Sequence, residues 1–65
     1  MDDDPELAQA RVFLAELEHH ARMLSVRRGS APPEARQPID NELADVRRHI
    51  DRLYGRFADL RPASP

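Results

Sequence analysis

"LAQARVFLAELEHHARML", residues 7–24, carries two apolar patterns at once. Leu7, Ala10, Leu14, Leu17, Ala21 and Leu24 recur at alternating intervals of three and four, the a and d positions of a heptad. At 3.6 residues per turn that spacing stacks the side chains along one side of an α-helix. Ala8, Val12, Ala15, Met23 and Val26 fall off that line, at positions b, c and f. With His19 they make a second, weaker stripe of small and apolar groups. A helix apolar on two sides has more to cover than one partner helix reaches.

"IDNELADVRRHIDRLYGRFADL", residues 39–60, repeats the first pattern and lacks the second. Ile39, Leu43, Val46, Ile50, Leu53, Phe57 and Leu60 keep the heptad spacing, while Asn41, Asp45, Arg48, Asp51, Arg52 and Asp59 occupy the outer positions. Phe13 and Tyr54 flank the two seams and widen them. Two stripes of equal length joined by a short break predict an all-α fold, an antiparallel two-helix hairpin.

The boundaries follow from capping chemistry. Asp4 is suited to N-cap the first helix, Pro5 to its first position, and Asp2, Asp3 and Glu6 to the positive end of the helix dipole. Arg27 and Arg28 suit the other end, and Gly29 suits a C′ residue in the left-handed conformation. The expected span is about 4–28. "GSAPPEARQ", residues 29–37, reads as a Pro-rich connecting loop with room for one short turn. Pro38 fits the first position of a second helix spanning about 38–61, which Pro62 stops. Gly55 lies inside it, at a cost of about 1 kcal/mol relative to alanine. Residues 1–3 and 62–65 are expected to be flexible ends of this single small domain.

Size then predicts company. A chain of 65 residues with no cysteine has neither disulfides nor a thiolate zinc site to support a small core. A lone hairpin leaves half of each seam uncovered. The expectation is a four-helix bundle, built by homodimerisation or by docking on a larger protein. The partner-binding residues expected are Leu7, Val12, Phe13, Leu14, Ala15, Leu17, Met23, Leu24, Val26, Leu43, Val46, Ile50, Leu53 and Phe57. Such a protein is an accessory or assembly subunit, non-catalytic and without a cofactor.

The chemistry-bearing residues are few. Glu16 and His19 have the i, i+3 spacing of carboxylate-bridged metal bundles, with His20 beside them. Those bundles need further acids pointing inward, and the inward positions here are Leu, Ala, Val, Ile and Phe. The expected role of His20 is a rim hydrogen bond to Glu42, because both flank the seam where the helices run antiparallel. A metal-binding bundle using Glu16, His19 and His20 is the alternative reading. A small DNA-associated regulator is another, resting on the row Arg48, Arg52 and Arg56. Asp45, Asp51 and Asp59 interleave that row, and the net charge of −2 gives no electrostatic pull toward phosphate. Ser25, Ser30 and Ser64 have no base to activate them, and two glycines do not make a phosphate loop. No apolar run approaches the ~18 residues of a membrane span. The acidic opening "MDDDPELAQA" does not read as a secretory leader. A cytoplasmic protein is therefore expected. Its basic residues are all arginine, which with the Ala, Asp and Pro usage fits a GC-rich bacterial genome.

Overall fold

The computed structural model describes residues 4–60. It contains helix α1, Pro5–Ser30, helix α2, Pro33–Arg56, and a single 3-10 turn, Ala58–Leu60. The helices lie side by side and antiparallel in a rod of 51 × 24 × 17 Å. Asp4 caps α1 as its sequence suggests: its carboxylate accepts from the amides of Glu6 at 3.0 Å and Leu7 at 3.3 Å.

The seam closes within one chain. Leu17, Leu24, Leu43 and Val46 form the core, and Ala21, Ile39, Ile50 and Leu53 pack against it. Ala10 and Leu14 extend the buried strip toward the open end. Every other a and d position from Leu7 to Leu60 is at least half-buried. Leu24 is the most deeply placed, 1% exposed. No polar or charged side chain is buried among the described residues, so the core is held by apolar contact alone.

The corner departs from expectation. The connection is not a loop over 29–37; it is Ala31 and Pro32 alone. The prolines explain why. A residue before proline is pushed out of the helical region. Ala31 precedes Pro32 and sits at φ −79°, ψ 143°. Pro32 precedes Pro33 and sits at φ −66°, ψ 158°. Those two extended residues reverse the chain, so the α1 end needs no left-handed residue. Gly29 is helical, and no described glycine has positive φ.

Pro33, not Pro38, is the first residue of α2, and Pro38 lies within it. Pro33 brings a preset φ and Glu34 suits the positive helix end. The Ala35 amide donates to the Pro32 carbonyl at 2.9 Å, Arg36 Nε to the Ala31 carbonyl at 3.2 Å, and Gln37 Nε2 to Asn41 Oδ1 at 3.0 Å. Ala31 and Ala35 are half-buried at this corner. These contacts offset the hydrogen bond that Pro38 cannot donate to the Glu34 carbonyl one turn back.

The second helix also ends early, at Arg56 and not near residue 61. Phe57 leaves helical geometry at φ −126°, ψ 85° while its amide still bonds the Leu53 carbonyl at 2.7 Å. The tighter turn that follows keeps Phe57 and Leu60 half-buried. Gly55 is thus the next-to-last helical residue, where a poor helix former weakens the end. The expected flexible ends, 1–3 and 62–65, lie outside the described residues.

An ideal Cβ on Gly29 or on Gly55 meets nothing within 4 Å. Gly29→Ala and Gly55→Ala should each stabilise the fold by about 0.5–1 kcal/mol in urea titrations, through the entropy of the unfolded chain. A left-handed Gly29 would give the opposite sign.

Candidate interaction surface

Burial divides the expected partner-binding residues into two groups. Leu14, Leu17, Leu24, Leu43 and Val46 are buried between α1 and α2, and Leu7, Ile50, Leu53 and Phe57 are half-buried along the same seam. In the closed hairpin these nine cover one another. The remaining five face outward: Val12 is 60% exposed, Phe13 47%, Met23 45% and Val26 68%, and Ala15 is also exposed. Ala8 and His19 are exposed beside them.

The outward group is ordered. At about 100° per residue, the stripe from Ala8 to Val26 is centred roughly opposite the seam on α1. One side of α1 therefore packs on α2 while the other presents valine, methionine and alanine to solvent. Phe13 stands apart from this stripe, on the seam flank. The outer positions of α2 offer nothing comparable; Asp45 and Arg48 pair there across one turn.

At the open end lies a shallow cleft of about 500 Å³. Ala10, Val12 and Phe13 of α1 line it against Leu53 and Phe57, with Glu6, Gln9, Glu16 and Arg56 at its edge. The Arg56 guanidinium stands 5.5 Å from the centre of the Phe57 ring, within cation–π range. The sequence marks Phe13 and Phe57 separately. The antiparallel pairing of the helices puts both on the lining of one cleft.

Two polar contacts tie the rim. His20 Nε2 and Glu42 Oε2 are 3.0 Å apart, the pairing expected from their seam-flanking positions. Arg28 was expected only to complement the helix end. It also grips Asp40 across the corner, Nε to Oδ1 and Nη2 to Oδ2, the latter at 3.3 Å. That fork joins the last turn of α1 to the early turns of α2. The hydrogen bond from Arg28 holds the Asp40 carboxyl below its ordinary range, aided by the positive charges of Arg28, Arg36 and Arg47 against partial desolvation. The same contact raises the Arg28 guanidinium. A carboxyl depressed in the folded state contributes stability above its unfolded pKa of about 3.9. That contribution disappears as pH falls from there through the folded value. Replacing Asp40 with asparagine should therefore leave a flatter loss of helicity below about pH 4 than wild type shows. An unchanged acid limb would mean that the fork is open in solution.

Glu16 and His19 are exposed, and His20 is engaged with Glu42. Among the described residues no three His, Asp or Glu side chains gather as a metal site would require. No described helix is long and apolar enough to cross a membrane. No protein-family model, no curated protein and no solved structure matches this chain.

Proposed function

We propose that this protein is a non-catalytic helical interaction module, an accessory or assembly subunit that works through the outer face of α1. One observation carries the reading: α1 is apolar on opposite sides, and α2 covers only one of them. Val12, Met23 and Val26 have no part in the intramolecular core, so their hydrophobicity does not serve the hairpin. An ordered apolar stripe on a small protein marks a contact surface.

The proposal locates the contact, so site-specific photo-crosslinking in living cells tests it. A photoreactive residue at position 23, on the outer face of α1, should give discrete adducts. The same group at Arg52, exposed on α2, should not. Equal labelling at both positions, or none at position 23, would refute a dedicated surface on α1.

A further inference from the structure

We infer that Met23 is a reversible oxidation site on the outer face of α1: turning its thioether into the sulfoxide weakens the contact made there and leaves the hairpin folded. The inference rests on the interaction reading above and names how that contact is regulated, whatever the partner.

The argument starts from where the sulfur lies. The chain has no cysteine, and Met23 carries the one sulfur atom among the described residues. The core is Ala10, Leu14, Leu17, Leu24, Leu43 and Val46, with other aliphatic groups packed on it. Peroxides that oxidise a thioether leave such hydrocarbon side chains untouched. Met23 is 45% exposed, so an oxidant reaches it without opening the helices. Oxidisable sulfur thus sits on the outer stripe, and the seam that holds the fold contains none.

The step balances with hydrogen peroxide as the oxidant. The sulfur lone pair takes one peroxide oxygen, the S–O bond forms and the O–O bond breaks. The other oxygen leaves as water with both protons. Sulfur is oxidised by two electrons and the peroxide is reduced. A methionine sulfoxide reductase reverses the change, using two thiols as the reductant and releasing water.

The consequence falls on the contact. Methionine is the longest apolar side chain of the stripe, and its sulfoxide is a polar acceptor. On the free hairpin that oxygen stays in water, so folding is spared. Under a partner it is stripped of water. Ala15, Val12 and Val26 have no side-chain donor to offer it, and of the stripe only His19, one turn back, has one. Burying a polar group short of partners opposes association.

Two measurements test this. Purified protein is treated with hydrogen peroxide, then mapped by peptide mass and followed by circular dichroism. Met23 should gain one oxygen while the helicity stays unchanged. In cells, a photoreactive residue at position 12 reports the contact in wild type, Met23→Leu and Met23→Gln chains. Brief peroxide should cut the wild-type adducts by about fivefold or more, the equivalent of ~1 kcal/mol. The Met23→Leu adducts should persist, and Met23→Gln, polar without oxidation, should lack them from the start. Loss of helicity on oxidation would overturn the inference. So would adducts that survive once Met23 is oxidised, or that fall equally in Met23→Leu. An absence of adducts from untreated wild type would instead overturn the interaction reading, and this inference with it.

Discussion

Leu24→Ala is expected to cost about 3 kcal/mol or more, within the ~2–5 kcal/mol range for truncating a buried leucine. A chain of this size has of order 3–10 kcal/mol in total, so the variant should be largely unfolded in warm solution. Leu24 is 1% exposed and belongs to the cluster with Leu17, Leu43 and Val46. It lies near the corner, where the short link and the Arg28–Asp40 fork restrain the backbone from collapsing into the void. Val26→Ala, two residues on but 68% exposed, should change monomer stability by less than ~0.5 kcal/mol. Urea titrations followed by circular dichroism measure both. Equal effects would mean that the seam is not closed at Leu24.

Pro38→Ala is the second large effect, and its sign is diagnostic. Inside α2, proline withholds an amide from the Glu34 carbonyl and crowds it, at a cost of up to about 3 kcal/mol relative to alanine. The stiffer unfolded chain that proline provides returns about 0.4–1 kcal/mol. The net expectation is a gain of about 1–2 kcal/mol for the alanine variant, with added helicity over residues 33–38. Were α2 to begin at Pro38, the substitution would be neutral or harmful, since proline is favoured at the first position.

The seam was legible in the sequence, because heptad spacing is a property of position alone. All thirteen of its residues are buried or half-buried. Asp4 and the His20–Glu42 contact were legible for related reasons: one is local capping, the other follows from antiparallel seams. The corner was not. Three prolines and a glycine read as a loop when each is judged by its own propensity. Whether a helix absorbs Pro38 depends on Arg36, Gln37 and half-buried Ala35, which are tertiary and longer-range facts. The Arg28–Asp40 fork was hidden for the same reason, since the shorter corner is what brings the two side chains into reach. The cleft lined by Phe13, Leu53 and Phe57 is a property of how the two helices sit at the open end, which spacing along one helix does not state. The outer stripe on α1 was visible as a pattern, and the structure adds that α2 leaves it uncovered.

The two stripes on α1 are held to do separate work, one closing the hairpin and the other meeting a partner. The direct test places the same charge on each. Leu17→Glu and Met23→Glu are compared by helicity in circular dichroism. Leu17 is 8% exposed and Met23 45%. The expected result is that Leu17→Glu loses its helices, whereas Met23→Glu keeps them. If Met23→Glu unfolds as Leu17→Glu does, or if Leu17→Glu stays helical, the division of labour on α1 is wrong.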